Sequence, residues 1–395
     1  MLRVLTLSTL FPDATRPNFG VFVARQVAAL AKRDGVAVRV VAPLGLPPWP
    51  LSRHPRYRGW DAVPHREVRD GVTVDRPRFR ILPGTGGRFH VAALTRALVP
   101  LLNSIRADFP FDVIDASFFF PDGPAAVALA RRYGVPVSIK ARGADIHHWG
   151  HAPATAAQVR AAGRAADGLL AVSAAMRDDM AAIGIPAESI RVHHTGVDLT
   201  RFAPAADREA LRAALGIAGP LVLSVGALIP RKGHDVAIAA FVHLPGVTLA
   251  IAGEGPERPR LAALAAAAGV ADRVRLIGPI AHDDLPRWFA AADVMALPSS
   301  SEGLANAWVE SLACGTPIVI TDVGGARDVV RDRDAGRIVA RDPAAFAEAI
   351  GDLLAHPRAR DAVRAHALGF TWDANAAALH AHLAALVHLH QPARG

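Results

Sequence analysis

At 395 residues the chain is too long for one ordinary hydrophobic core and suits two domains of about 200 residues each. Hydrophobic residues make up 51% of it, yet no run of 18 or more apolar residues is free of charge, so packed cores are expected and a membrane-spanning helix is not. The formal net charge of +8 rests almost wholly on arginine, since Lys32, Lys140 and Lys232 are the only lysines. No helix-turn-helix, zinc or RNA-recognition pattern accompanies that charge, so nucleic acid is not an expected partner. The single cysteine, Cys314, excludes an internal disulfide and fits a reducing compartment; it sits in an apolar helical stretch, where packing is its expected role.

The opening segment MLRVLTLSTLFPD lacks a small-residue cleavage site and runs straight into a turn. It reads as a first strand and not a signal peptide, with a cytoplasmic location following from it. Strands are then expected over 3–8, 36–42, 72–78, 112–116, 136–140, 169–173 and 190–193. In the second half they are expected over 221–225, 248–252, 274–277, 294–297, 317–321 and 336–339. Ala-rich helical stretches separate nearly every pair. Continuous apolar strands joined by helices predict parallel sheets covered on both faces, an α/β chain of two doubly wound Rossmann-like domains. The boundary falls near Thr195–Asp207, which has no strong periodicity and contains Pro204. The expected domains are 1–200 and 201–370, facing each other across a cleft, with 371–395 as a terminal helix. Residues 51–90 carry nine arginines against Asp61, Glu67, Asp70 and Asp75. Such a stretch is either a solvated surface or a face attracted to anionic lipid or an anionic acceptor.

The chemistry concentrates on loops that follow strands, where open α/β sheets bind ligands. Glu302 and Glu310 stand eight residues apart, a helical span of about 12 Å. Pro298 and Ser299–Ser301 end a strand, so Glu302 falls in a loop, and Gly303 permits close backbone approach. A helix starting near Asn306 puts the N–H groups around Leu304 and Ala305 at its positive end, a site for a diphosphate. Glu310 lies a turn further in and can accept hydrogen bonds from ribose hydroxyls. The spacing alone also suits an exposed helix acid and a capping acid. In SVGALIPRKGHD a strand ends at Gly226, and Arg231 and Lys232 open the next helix, two cations able to neutralise a leaving diphosphate. In FPDATRPNFGVFV, the loop after the first strand, Gly20 is expected to bring the backbone and the next helix start close to the reacting centre as a donor contact, while the loop with Asn18 faces the acceptor. In KARGADIHHW, Arg142, Asp145 and His147 are candidates for sugar or acceptor contacts, an internal Arg142–Asp145 ion pair being the structural alternative. His147 and His148 lack a third ligand at metal spacing, so no metal is expected. Asp122 in FFFPDG is placed to cap the next helix. Gly253 and Gly255 in IAGEGPE form a strand-to-helix turn suited to a base or ribose contact.

Taken in order and spacing, FPD…NFGVFV, PDG, RGAD, TGVD, VG…RKG, GEGPE, ADVMALPS…EG and TDVGG resemble a family 4 glycosyltransferase of the GT-B fold. The RGAD and PRKG variants are similar to the branch that contains teichuronic-acid-type enzymes. The resemblance implies a UDP- or GDP-linked sugar donor, a saccharide or lipid-linked acceptor in surface polysaccharide synthesis, retention of anomeric configuration, and no required cofactor or metal. It implies that Arg231 and Lys232 hold the diphosphate, Glu302 the donor sugar and Glu310 the ribose. It further implies that the terminal helix crosses back onto the first domain. Two positions depart from the family pattern. Ala227 stands where many relatives carry Arg, and Arg142 where many carry His. The alternatives are a GT-B-type sugar-nucleotide epimerase, which needs acid/base carboxylates in both domains, and a non-catalytic sugar-nucleotide-binding protein.

Overall fold

The computed structural model describes residues 1–54, 57 and 59–390. Arg56 and Arg58 of the basic stretch and residues 391–395 of the terminal segment lie outside the described residues. Two compact units result, Met1–Gly196 with the C-terminal segment from Trp372, and Val197–Thr371.

The first unit carries β1 (Leu2–Leu7), β2 (Val36–Val41), β3 (Leu44–Leu46), β4 (Arg66–Arg69), β5 (Val72–Asp75), β6 (Arg78–Arg80), β7 (Val113–Ala116), β8 (Val137–Ala141), β9 (Gly168–Ala171) and β10 (Ile190–Val192). Its main sheet has the order β10-β9-β8-β7-β1-β2-β5-β4, parallel except for β4. β4 and β5 form a hairpin over Asp70 and Gly71, with φ of 50° and 77°, the left-handed conformations that a tight two-residue turn requires. The single strand expected over 72–78 is instead two, in different sheets: β5 joins the main sheet, and β6 pairs with β3 apart from it. Pro77 lies between them, cannot donate to a ladder and breaks the run. Arg76 beside it is buried, donating to Pro12 O at 2.7 Å and pairing with Glu67.

Why the helices cover this sheet is visible in its core. Val4, Val113 and Leu170 point from β1, β7 and β9 onto Leu30 of the helix Val21–Ala31 and onto Leu379 and Leu383 of the helix Trp372–His390. The terminal helix is also tied by polar bonds: His193 Nε2 to Asn375 O at 2.9 Å, Asn375 Nδ2 to His194 O at 2.6 Å, and Ser138 Oγ with His382 Nε2 at 3.0 Å.

The second unit carries β11 (Leu221–Val225), β12 (Thr248–Ala252), β13 (Val274–Gly278), β14 (Val294–Leu297), β15 (Ile318–Thr321) and β16 (Gly336–Val339) in the all-parallel order β13-β12-β11-β14-β15-β16. Val222, Leu249, Ile251, Val294 and Val319 pack against Phe241, Phe346 and Ile350 in one core. Helix starts are set locally. Asp207 accepts from Ala210 N, and Asp342 accepts from Ala345 N with Pro343 in the first turn. Among the described residues no helix is long and apolar enough to cross a membrane.

Candidate active site

In the second sheet, strand order reverses between β11 and its neighbour β14, and the loops leaving these two strands carry most of the chemistry. The loop after β11 ends in Pro230–Lys232 and then Gly233, whose φ is 72°. A Cβ on Gly233 would lie 2.0 Å from Pro298 O at the end of β14, so only glycine lets the two loops touch. That contact brings Lys232 Nζ to 2.6 Å from Glu302 Oε1 and Arg231 Nη1 to 3.2 Å from Glu302 Oε2. Ser299 Oγ donates to Glu302 Oε1 at 2.7 Å. Arg231 also donates to Ser301 O. Glu302 is buried, and its two carboxylate oxygens are shared between two cations and a hydroxyl. Behind it Thr321 Oγ1 donates to Ser299 O, and Gly325 N donates to Gly303 O at 2.7 Å. Next to Lys232, buried His234 is held neutral, its pKa lowered to about 4 by burial and then by the lysine charge.

The helix Asn306–Ala313 starts after this loop with Ala305 as its cap, and no side chain caps it. Leu304 and Ala305 are buried at this positive end. Glu310 is buried on the same helix, and His282 Nε2 lies 2.9 Å from its Oε1. His282 follows β13 and stands edge-on to Phe202, with ring centroids 5.3 Å apart. Sequence reasoning did not single out His282 or Ser299. Ser299 was within the PSSSEG run, but the His282–Glu310 pairing is made by topology.

Gly253 and Gly255 follow β12. A Cβ on Gly253, where φ is 153°, would lie 1.9 Å from Gly226 O, and one on Gly255 would lie 2.3 Å from Leu228 O. The absent side chains are thus required by the protein's own β11 loop packing on the β12 loop. Gly226 places its Cβ position 3.4 Å from the Lys232 stem.

In the first unit the predicted residues again follow strand ends, β1 and β8. Gly20 has φ of 70° and its Cβ position is 2.5 Å from Leu10 O, so the loop after β1 folds on itself there and the space beside Gly20 is filled by backbone. Asp13 knots that loop by accepting from Thr15 N at 2.9 Å and Arg16 N at 3.0 Å, leaving Asn18 exposed on it. Asp145 is fully buried, and its carboxylate accepts from Phe119 N (2.9 Å), Gly143 N (2.7 Å) and Arg142 N (3.0 Å). It is a loop staple with no free oxygen face, contrary to the expected sugar or acceptor contact. Arg142 turns away from it: Nε donates to Ser117 O at 2.6 Å, Nη2 to Gln26 Oε1 at 3.2 Å, and the guanidinium lies 4.9 Å from the Phe22 ring centroid. The helix-capping role expected of Asp122 is also overturned. This buried carboxylate reaches back to accept from Thr9 N at 2.7 Å, and burial raises its pKa to about 8. His147 Nε2 sits 2.8 Å from Asp179 Oδ2 on the next helix but one.

Beneath Arg142 lies a buried cluster that sequence reasoning passed over. Lys140 Nζ donates to Gln26 Oε1 at 3.1 Å and to His193 Nδ1 at 2.8 Å, with Asp115 on the neighbouring strand β7. Burial lowers the lysine's pKa well below its ordinary value and pushes Asp115 up to about 6. A lone lysine inside the apolar run PVSIKA was the available signal. Cys314 is buried, and burial raises its thiol, in keeping with a packing role. Among the described residues no group of three or more His, Cys, Asp or Glu is arranged to hold a metal ion.

Comparison with known proteins agrees with this architecture. The profile described as Glycosyltransferase Family 4 matches residues 20–201, and that described as Glycosyl transferases group 1 matches residues 207–368. A D-inositol 3-phosphate glycosyltransferase of Xylanimonas cellulosilytica is 40% identical over 233 residues, 54% of this chain and 56% of that protein. The chain thus spans about half the length of the curated relatives it matches. Among solved structures, sucrose-phosphate synthase from Thermosynechococcus elongatus superposes with a TM-score of 0.81 at 21% identity, covering 98% of this chain and 100% of the other. The Anabaena protein Alr3699/HepE in complex with UDP superposes with a TM-score of 0.70 at 20% identity, covering 98% of each chain. With one family profile following the other along nearly all of its length, and with two Rossmann-like units, the chain belongs to glycosyltransferase family 4 and has the GT-B fold.

Proposed function

We propose that the protein is a retaining glycosyltransferase that moves a sugar from a nucleoside-diphosphate sugar to a saccharide or lipid-linked acceptor in surface polysaccharide synthesis. The observation that carries this reading is the Lys232–Glu302–Arg231 cluster at the reversal of strand order in the second sheet. A diphosphate entering there meets two cations and the uncapped start of the helix Asn306–Ala313. As the bond from the anomeric carbon to the phosphate oxygen breaks, negative charge grows on that oxygen, and Lys232 and Arg231 stabilise it. Released from its cations, Glu302 accepts donor-sugar hydroxyls. Glu310, oriented by His282, accepts from ribose. The acceptor hydroxyl forms the new bond on the face the leaving group departs from and passes its proton to the departing phosphate, which gives retention without a carboxylate base.

Structures of Alr3699/HepE are described in complex with UDP and with UDP-glucose, which makes a UDP-linked donor the first to try, with a GDP-linked one second. The epimerase reading is disfavoured by the first unit, where Asp122 and Asp145 are both buried and occupied by neighbouring N–H groups. The test is incubation with UDP- and GDP-sugars and a panel of acceptors, with and without a chelator, followed by proton NMR of the product. Release of nucleoside diphosphate together with an anomeric coupling unchanged from donor to product is expected. An inverted product, or a sugar nucleotide altered at one carbon with no transfer, contradicts the proposal.

A further inference from the structure

The small sheet of β3 and β6 stands apart from the main sheet of the first unit, and what leaves it is unusual for a surface. The strands are parallel, Leu44 beside Arg78 and Leu46 beside Arg80, and Ile81 N donates to Leu46 O at 3.0 Å. Both chains therefore leave the same end of this pair. After β3 comes Pro-Pro-Trp-Pro-Leu-Ser-Arg (47–53). After β6 comes Ile-Leu-Pro (81–83), and then Arg88 and Phe89 at the start of the helix His90–Asp108. The Phe79 ring on β6 lies 6.5 Å from His90 and holds that helix start to the same strand. Here large apolar side chains face solvent: Trp49 is 72% exposed, Leu51 51%, Leu82 44% and Phe89 49%.

The charge of the same segments has one sign. No Asp or Glu occurs between Leu44 and Trp60 or between Arg76 and Ala107. Arg53, Arg80 and Arg88 are exposed, and among the described residues none of the three has an acidic partner. Within the fold Asp75 is neutralised by Arg39 and Arg66, and Glu67 by Arg76. Arg53 instead leans toward Trp49, its guanidinium carbon 5.8 Å from the ring centroid.

We propose that this end of the first unit docks on a bilayer containing anionic phospholipid. Trp49, Leu51, Leu82 and Phe89 enter the boundary between headgroups and acyl chains, and Arg53, Arg80 and Arg88 meet lipid phosphates. Aromatic and aliphatic tips among unpaired arginines match that boundary in both polarity and charge. Nucleic acid fits less well, because half of the exposed apolar residues, Leu51 and Leu82, are aliphatic and give bases nothing to stack on, whereas all four suit acyl chains. A second copy of the chain would set arginine against arginine across a symmetric contact. The proposal is independent of the donor reading, because it rests on the first unit alone.

The test is sedimentation of the whole chain with vesicles of phosphatidylcholine alone and with added phosphatidylglycerol, at low and high salt. The wild type is expected to bind only the anionic vesicles and to be released by salt. Arg80→Glu/Arg88→Glu is expected to weaken binding by at least about tenfold, since each arginine near the surface contributes roughly fivefold. Trp49→Ser/Leu82→Ser is expected to weaken it by about as much, by removing the apolar anchors. Both pairs lie on the surface, so melting temperature and nucleotide binding should match the wild type in each. Failure of the wild type to bind anionic vesicles overturns the proposal, as does undiminished binding by both variants. Concentration-dependent self-association that Trp49→Ser/Leu82→Ser abolishes would assign the surface to a second copy and overturn it too.

Discussion

At the scale of single residues, the site in the second unit is built on one carboxylate that two cations share. Removing Lys232 leaves Glu302 with less compensation and the departing phosphate with one cation fewer. Lys232→Ala is therefore expected to lower kcat by about 10²–10³-fold, with Lys232→Arg recovering part of the loss because the charge returns with a different shape. Steady-state kinetics with saturating donor check this; equal rates for wild type and Lys232→Ala would remove the lysine from the chemistry. A second residue-scale consequence concerns pH. Burial raises Asp122 to about 8 in the folded chain against an ordinary value of 3.8, so the folded state keeps a proton that the unfolded state releases. Its stabilising contribution is full below about pH 4, falls as pH rises and is gone above about pH 8. Buried His193, His234 and His382, lowered to about 2, 4 and 4 from 6.5, work in the opposite sense, but only below about pH 6.5. Buried Lys140, lowered well below its ordinary 10.5, acts in the same sense as the histidines and does so in the interval from about pH 6.5 to 8 as well. The carboxyl is therefore isolated there only as the difference between the wild type and Asp122→Asn, which share the lysine. Urea unfolding across that interval is expected to show the wild type losing stability relative to Asp122→Asn, which still offers Thr9 an acceptor. Parallel curves would contradict the assignment.

At the scale of elements, the loops around the site depend on glycines for which the protein's own backbone leaves no alternative. Gly233→Ala puts a Cβ 2.0 Å from Pro298 O in a left-handed conformation and is expected to cost about 2 kcal/mol or more, with loss of the Lys232–Glu302 pair. Gly216 also has positive φ, 65°, but nothing lies within 4 Å, so Gly216→Ala is expected to cost only about 1 kcal/mol. Denaturant unfolding of the two variants separates close backbone approach from conformational preference, and equal costs would refute the distinction. The same elements explain what was legible in the sequence. β11, β12 and β14 lie where their apolar runs place them, since a strand buried on both faces must be largely apolar, and β16 (GRIV) also lies where it was expected although it is a partly buried edge strand carrying Arg337. β4 (REVR) and β6 (RFR) were missed because they are short, Arg-rich and partly exposed. The Asp70–Gly71 turn signal was nevertheless present. Glu302, Arg231 and Lys232 could be named from their loops, but the contacts of Lys232 and Arg231 with Glu302 join residues 70 and 71 apart in sequence and are made by the adjacency of β11 and β14. His282 carried no local motif at all, and Asp145 was misread because a carboxylate stapling three N–H groups looks, in sequence, like one free to bind a ligand.

For the whole molecule, each unit is stabilised in its own way. The first is discontinuous in sequence, completed by Leu379 and Leu383 of the terminal helix in the core formed by Val4, Val113 and Leu170. The second is a continuous stretch closed where Val197 N donates to Phe370 O at 2.6 Å. Every site residue proposed to hold the donor's nucleotide and diphosphate, apart from Gly20, lies in the second unit. That makes nucleotide binding the property on which the functional account turns, whatever the acceptor. The most direct measurement is a thermal-shift titration of wild type, Lys232→Ala and Glu310→Ala with UDP, GDP and ADP. A ligand bound only to the folded state raises the melting temperature, by an amount corresponding to about 2.7 kcal/mol at a hundredfold excess over Kd. The account predicts that one of these nucleotides stabilises the wild type selectively and that both substitutions weaken the effect without lowering the melting temperature of the free protein by a comparable amount. An intact wild type that responds to none of them, or variants that respond as the wild type does, would contradict it.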